Sequence, residues 1–341
     1  MQFEHAPPEA LQLLQTRIRD LDLSLERSPV AGLVRHLHAE LQEKGLRHFR
    51  PKVYLSDEWG SPTGEPVIGI PFYLGDPRVA NLEDAINDIE DEREIMMYLR
   101  HEAGHAFNHA YELYRTSEWR KLFGNTRQPY RDDYRFVPFS RDFVRYIPGW
   151  YAQKHPDEDF AETFAVWLDP TSLWESRYDG WGAMRKLKYV DRMARELGDV
   201  TPPKSVGKTD ITVAEMEQTV EEFYRELHVD ESPMIADLAL DADLLDIFPP
   251  PTGDEETRSA ALLLREHRRT VIDKVNYWTG VRRTLVRTLV IAIEERLTEL
   301  ALVSVRKEAR KQMVELTVYI TTLAMTFLVG KKRLKHRRPA R

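Results

Sequence analysis

The sequence contains no cysteine among its 341 residues. This absence excludes disulfide-stabilised domains, zinc sites built from thiolates and catalysis by a thiol nucleophile. Any metal must therefore be bound by histidine and carboxylate side chains.

Long apolar runs are also missing. The best candidate for a membrane span, Leu316–Val329 (LTVYITTLAMTFLV), is shorter than the ~20 residues that a bilayer crossing needs and is rich in threonine, so we expect a buried helix there. The opening segment, MQFEHAPPEA, lacks the basic start and apolar stretch of a secretory signal. We therefore expect a cytoplasmic protein with no membrane partner.

Basic charge is scarce outside one segment. The net charge is −7, although residues 331–341 (KKRLKHRRPAR) carry seven basic residues and no acidic one. Nucleic-acid binding depends on a basic face, which an acidic body does not offer. We expect no nucleic-acid partner unless this tail provides one, and a solubilising terminus is the simpler interpretation.

The length and a hydrophobic content of 42% indicate about two globular domains. Two proline-rich breaks, at 201–208 (TPPKSVGK) and 249–254 (PPPTGD), follow the first helical region. We predict a first domain at 1–198, a helical C-terminal domain at 199–330 and a basic flexible tail at 331–341. The sequence predicts neither a role for the C-terminal part nor an oligomeric state.

The pattern of apolar residues predicts an α+β fold that is mainly helical. Helical periodicity marks an amphipathic lead-in at 9–45, and two strands joined by a turn, SDEWGSPTGEP, predict a small antiparallel sheet at about 50–75. Further helices are predicted at about 90–114 and at 157–168. Residues 255–330 are expected to be mostly helical.

The most specific motif is an HExxH sequence, His101-Glu102-Ala103-Gly104-His105, in the middle of the helix predicted at 90–114. Two histidines four residues apart lie on one helix face, about 40° apart, so both can bind one Zn²⁺. Glu102 lies beside that face, where it can act as general base toward a water whose pKa zinc lowers to about 7. The alternative is a chance match on a charged helix, which a third ligand would exclude.

Two segments offer a third ligand. His109 lies one turn beyond His105, about 6 Å along the helix axis, which places it too far away, so we assign it to the helix surface or to an outer hydrogen bond. The helix at 157–168 is more promising because two acids and two alanines share one face, namely Glu158, Ala161, Glu162 and Ala165. Small residues let another helix approach, and a carboxylate there can reach its metal. The alternative is a solvent-exposed face with two glutamates.

These motifs together resemble a known group of enzymes. HEAGH followed by EDFAETFAVWL is similar to the gluzincin clan of zinc metallopeptidases, and SDEWGSPTGEPVIGIPFYL, HEAGHAFNHAYELY and GWYAQKHPDEDFAETFAVWL resemble bacterial zinc-binding metallopeptidases over about residues 50–190. The resemblance implies a zincin-like first domain with Glu158 as third ligand. It also implies that Glu162 orients a metal-binding histidine.

The resemblance also implies a donor that stabilises the oxyanion of the reaction, supplied by the irregular segment around 117–150 or just after it. We favour Tyr151; the other candidates are His155, Tyr130, Tyr134, Tyr146 and Arg141. Related enzymes bind an extended peptide along a sheet edge, a role that Val67–Ile70 could take, with Gly69 admitting the substrate backbone. An ordinary interior strand is the alternative.

The sequence thus predicts a Zn²⁺-dependent hydrolase that cleaves a peptide or protein substrate. Its ligands would be His101, His105 and Glu158, with Glu102 as general base. An alternative is a non-catalytic or regulatory zinc-binding module that acts through protein–protein interaction. A third is a helical scaffold that binds no metal. Glu102 favours catalysis, because a structural zinc site has no use for a base.

Overall fold

The computed structural model describes residues 8–131, 134–227, 235, 238–250 and 256–335. Contacts divide the chain into two compact units, Met1–His228 and Val229–Arg341. The segment that follows the predicted boundary at 198 contributes a helix, Val220–Leu227, that packs in the first unit. The predicted extents of the domains stay a prediction.

The first unit contains nine described α-helices and two strands. They are α1 (Pro8–Gln15), α2 (Ala31–Glu43), β1 (Lys52–Ser56), β2 (Val67–Pro71), α3 (Pro77–Asn87), α4 (Glu92–Ala110), α5 (Ser117–Phe123), α6 (Pro156–Leu168), α7 (Trp174–Arg177), α8 (Met184–Leu197) and α9 (Val220–Leu227). The second unit contains α10 (Asp241–Ile247), β3 (Thr257–Ser259), α11 (Ala260–Thr279), α12 (Arg283–Glu299), β4 (Val303–Val305) and α13 (Ala309–Lys335). The predicted mainly helical α+β class is confirmed.

Local sequence explains where the two predicted site helices begin. At α4, Asp91 accepts a hydrogen bond from the amide of Glu94, whose side chain accepts one from the amide of Asp91, which forms a capping box. At α6, Pro156 occupies the first turn and the His155 side chain caps the helix by accepting from the amide of Asp157. Both helices therefore start at fixed points, which fixes the rotation of their faces.

The predicted antiparallel orientation of the first sheet is wrong, because β1 and β2 are parallel, with Tyr54 opposite Gly69. The connecting segment turns back first and places Gly60 antiparallel to Gly69 on the other side of β2. The chain then reverses again, so β2 runs in the same direction as β1. Only β3 and β4, in the second unit, form an antiparallel pair of strands among the described residues.

The bridge between Gly60 and Gly69 also decides whether β2 has a free edge that could bind an extended peptide. The amide and carbonyl of Gly69 are both hydrogen-bonded to Gly60, at 2.7 and 3.2 Å, and every residue of β2 is buried. The interior-strand alternative therefore fits β2, and Gly69 offers no free backbone edge to a substrate.

Aromatic side chains pack α6 into the core of the first unit. The Phe164 ring lies 5.1 Å from that of Phe107 on α4, and the Phe160 ring lies 5.2 Å from that of Phe123 on α5. Burying each such side chain contributes about 1.5–3 kcal/mol. The apolar face predicted for α6 is therefore the face that holds the helix in place.

The segment Leu316–Val329 lies within α13, where Leu316, Ile320 and Ala324 form a buried face. Across the part of the chain that the structure describes, no helix has the length and apolar character of a membrane span. α13 continues to Lys335, and the rest of the predicted basic tail, 336–341, lies outside the described residues. The cytoplasmic location and the role of the tail stay predictions.

Candidate metal centre

Three predicted ligands converge between α4 and α6. His101 Nε2 lies 3.0 Å and His105 Nε2 lies 3.2 Å from Glu158 Oε2, and the two Nε2 atoms are 3.2 Å apart. All three side chains are buried. Among the described residues, this is the one group of histidine and acidic side chains whose geometry could hold a metal ion.

Small residues allow the two helices to approach closely enough for this convergence. A Cβ atom added to Gly104 would lie 2.8 Å from Ala161 Cα and 2.9 Å from the Ala161 carbonyl oxygen, closer than such atoms pack. Gly104 occupies the third position after His101 and thus faces α6. The expectation that alanines on α6 admit a neighbouring helix is confirmed, and the glycine within HEAGH completes the contact.

Carboxylates contact the Nδ1 atoms of both histidine rings, on the side away from the centre, and so fix the orientation of the rings. His101 Nδ1 lies 3.0 Å from Glu162 Oε1, and His105 Nδ1 lies 3.0 Å from Asp157 Oδ2. A carboxylate oxygen accepts, so each Nδ1 donates its proton away from the centre, and each Nε2 points toward the centre, where a metal can take the place of a proton. Glu162 is fixed in turn by the amides of Tyr146 and Ile147, which donate to its Oε2 at 3.2 and 3.0 Å.

Sequence reasoning missed Asp157. Its second oxygen accepts a 2.7 Å hydrogen bond from Asn108, so this buried acid links two residues of α4. A signal was available, because Asp157 lies about 40° from Ala161 on a helical wheel. Widening the small and acidic face of α6 by one position would have included it.

His109 is buried, so its predicted alternative position on the helix surface is wrong. Its Nε2 lies 3.5 Å from Asp157 Oδ2 and its Nδ1 lies 3.3 Å from the carbonyl oxygen of Glu65. The other alternative, an outer hydrogen-bonding role, fits these contacts. As the distance along the helix predicted, His109 does not join the group formed by His101, His105 and Glu158.

Glu102 is buried beside the cluster, and its Oε2 has no hydrogen-bond partner among the described residues. Burial raises the pKa of this carboxyl, although the nearby His101 and His105 oppose that shift. A buried acceptor without a hydrogen bond destabilises the folded protein by about 1–3 kcal/mol. Such a group in a folded protein therefore calls for a functional explanation. The position suits a group that exchanges a proton with a bound molecule.

The electrostatics of the ligands reflect their mutual contacts. Burial disfavours the charged forms, but the hydrogen bonds of Glu158 and Glu162 outweigh this and raise the pKa of His101 to about 9. Burial likewise disfavours ionised Glu158, yet His105 and His101 hold the pKa of its carboxyl well below the usual range. At neutral pH Glu158 is therefore an anion, as a metal ligand must be.

Tyr151 lies next to the centre. Its hydroxyl is 3.4 Å from Glu158 Oε1 and its ring centroid is 5.6 Å from that of His101. Burial, reinforced by Glu158 and Glu102, raises the pKa of the phenol, so the hydroxyl keeps its proton and can donate it in a hydrogen bond. The structure thus places the Tyr151 hydroxyl beside Glu158, and its role as a donor to the oxyanion stays a prediction.

The other donor candidates are occupied or further removed. Tyr130 donates to Asp157 at 3.4 Å, while Tyr134 donates to the carbonyl oxygen of Gly149 at 2.5 Å. Both nitrogens of His155 are engaged, Nδ1 by the amide of Asp157 and Nε2 by the carbonyl oxygen of Gln128.

Tyr146 and Arg141 face other partners. The Tyr146 hydroxyl contacts Arg100 and Asp169, both at 3.2 Å. The Arg141 guanidinium lies over the Trp181 ring, 5.7 Å from its centroid. Neither contact places a donor at the three converging ligand atoms.

The donor set fits zinc. A tetrahedral ion with bonds of about 2.0–2.1 Å separates its ligand atoms by about 3.3 Å, close to the 3.0–3.2 Å found between the three atoms here. Two imidazoles and one carboxylate leave the fourth position of such an ion free, which is the arrangement of catalytic rather than structural sites.

Comparison with known proteins agrees with this geometry. Residues 79–225 match the model of a protein family described as "Putative zinc-binding metallo-peptidase", and the match includes α4 and α6. The resemblance to zinc-binding metallopeptidases is thereby confirmed for this region and supports, at the level of the family, a metallopeptidase and so a hydrolase. No curated protein and no solved structure matches the chain.

Proposed function

We propose that the protein hydrolyses peptide bonds with the help of zinc held by His101, His105 and Glu158. The observation that carries this proposal is Glu102, a buried carboxylate beside the three ligands; one of its oxygens has no hydrogen-bond partner in the part of the chain that the structure describes. A site that only stabilised the fold would gain nothing from such a group.

Each residue of the centre has a role in this chemistry. Zinc bound there would polarise the peptide carbonyl and make water nucleophilic at neutral pH. Glu102 takes a proton from the attacking water and returns it to the leaving amine. Tyr151, protonated and next to Glu158, donates a hydrogen bond to the oxygen that becomes negatively charged.

The glutamine variant Glu102→Gln tests the proposal. It preserves shape, so we expect wild-type zinc content and loss of nearly all cleavage of a peptide library analysed by mass spectrometry. Glu92→Gln, at an exposed position of the same helix, is the matched control and should cleave as the wild type does. If the wild type binds zinc stoichiometrically but its digest equals that of Glu102→Gln, the protein is instead a regulatory zinc-binding module.

Tyr151→Phe tests the proposed donor. Removing one donor to a developing oxyanion lowers kcat by about 10²–10³-fold, and KM should change little. Tyr134→Phe, which loses only a hydrogen bond to the Gly149 carbonyl, serves as control. An equal loss in both variants would assign Tyr151 to packing.

A further inference from the structure

A separate pocket lies beyond the C-terminal end of α4. It has a volume of about 580 Å³ and is lined by Tyr114, Arg115, Arg120, Asn125, Thr126 and Arg127. This volume is within the range of about 300–1,000 Å³ that is typical of small-molecule sites. Half of the lining residues are arginines and none is acidic, in a protein whose net charge is −7.

Two of these arginines form no ion pair with a carboxylate among the residues that the structure describes. Arg120 is held by backbone carbonyls, since its Nη2 donates to the Arg115 oxygen at 2.8 Å and its Nε to the Tyr114 oxygen at 3.3 Å. The Arg127 side chain makes no hydrogen bond or ion pair with another described residue. Arg115, by contrast, is paired with Glu112 at 3.1 Å.

The pocket is built on a fixed frame. The Asn125 side chain accepts a 3.0 Å hydrogen bond from the amide of Arg127, which shapes the turn that carries this arginine. Arg120 is tethered by its two backbone carbonyl partners, so one guanidinium is already positioned. Guanidinium groups bind carboxylate and phosphate oxygens through paired, charge-assisted hydrogen bonds.

The pocket adjoins the candidate metal centre but is distinct from it. The Tyr114 amide donates to Asn108 Oδ1 at 3.0 Å, and Asn108 in turn donates to Asp157. The Tyr114 ring also packs edge-on against that of His109, with centroids 5.9 Å apart. None of the six lining residues belongs to the ligand group, so an occupant would be recognised by the arginines.

From these contacts we infer that the pocket binds a small ligand bearing an oxyanion group, either a carboxylate or a phosphate, through Arg120 and Arg127. The aromatic ring of Tyr114 and the polar side chains of Asn125 and Thr126 would contact the rest of the ligand. This site is independent of whether the neighbouring centre cleaves peptides.

Isothermal titration calorimetry of the zinc-loaded full-length protein tests the inference with three matched probes. Phenyl phosphate and phenylacetate carry the two oxyanions on similar frames, and neutral phenylacetamide lacks the charge. At least one anion should bind, with an affinity that falls as salt is added, and the amide should not. The anion that binds more tightly shows whether the pocket prefers a phosphate or a carboxylate.

Variants locate the binding. Arg120→Gln combined with Arg127→Gln should raise the dissociation constant at least about tenfold, as expected for lost hydrogen bonds to a charged group. Arg93→Gln, an exposed arginine on α4, should change it less than twofold. Because Arg127 supports no other side chain, Arg127→Gln alone should fold normally and weaken binding about threefold or more.

Three results would overturn the inference. One is that neither anion binds the wild type, and another is that the amide binds as tightly as the anions. The third is that Arg127→Gln binds as tightly as Arg93→Gln, which would place the anion elsewhere, such as on the zinc.

Discussion

The helix pair α4–α6 in the first unit and the pair α11–α12 in the second show two ways to bury a helix. All thirteen residues of α6 are buried, and four of them are acids. On α12 the buried residues are leucine, valine and isoleucine with a single acid, Glu294. The second pair is packed for stability, whereas the first carries charge at a cost in stability.

Each buried acid of α6 has a dedicated partner. Asp157 and Glu162 contact histidines, and Asp159 lies 2.6 Å from Lys186 Nζ. Burying charges costs several kcal/mol per ion before pairing, and apolar residues of similar volume are often as stable. A helix with four such groups is better explained by chemistry than by folding.

The largest effect that separates the two pairs should come from Glu158→Ala. Removing a ligand leaves two histidines, so we expect loss of stoichiometric zinc after dialysis, measured by mass spectrometry of the metal. The matched control is Glu294→Ala, which removes a buried glutamate paired with Arg265 at 2.7 Å in the second unit. Glu294→Ala should keep zinc. If it also lost zinc, the loss in Glu158→Ala would not be specific to the removal of a ligand.

A core substitution in the second helix pair should lower the stability of the protein and leave its zinc content unchanged. Leu289 on α12 is fully buried among apolar side chains. Leu289→Ala should reduce the free energy of unfolding by about 2–5 kcal/mol because it leaves a cavity. Urea denaturation measures this loss, and the zinc content of the folded protein should be unchanged. A change in zinc content would show that the centre depends on the second unit.

Gly104→Ala probes the close approach of α4 and α6. The new methyl group would overlap the Ala161 backbone, so we expect a destabilisation of about 1–3 kcal/mol and weaker zinc binding. Gly32→Ala on α2 is the control, because its Cβ would meet only Arg35 at 3.9 Å. That change should stabilise the protein by up to about 1 kcal/mol. Similar urea midpoints for both variants would contradict close packing at Gly104.

Sequence patterns predicted the local part of this architecture and little of its long-range part. The spacing within HEAGH and the caps at Asp91 and His155 define where side chains point along a single helix, which is why α4 and α6 fall near their predicted positions. The direction of β2 depended on a double reversal through Gly60. No periodicity within a strand encodes such a reversal.

The same distinction applies to the site. Glu158 and Glu162 could be proposed because they share a helix face with alanines, whereas Asn108 and Asp157 matter through contact with each other across two helices. A hydrogen bond between distant residues leaves no spacing signature in one sequence. The arginine pocket was missed for another reason: its lining residues are close in sequence, but they belong to a segment of short helices and turns whose shape no periodicity predicts.

The smallest effect concerns Glu162, one turn from Glu158 on the same face. Its Oε1 accepts from His101 Nδ1, and its Oε2 accepts from two backbone amides, so it orients the ring without facing the centre. Glu162→Ala should therefore retain zinc with an affinity or activity lowered about 10–100-fold, the usual effect of losing such an outer partner. Glu162→Gln keeps one acceptor oxygen, but its amide nitrogen then faces either the His101 ring N–H or the two backbone amides, so it should recover only part of this loss.

Competition with a chromophoric chelator measures both affinities. If Glu162→Ala lost zinc entirely while Glu158→Ala kept it, the third ligand would be Glu162. The α6 register at the centre would then be one turn away from the one in the structure.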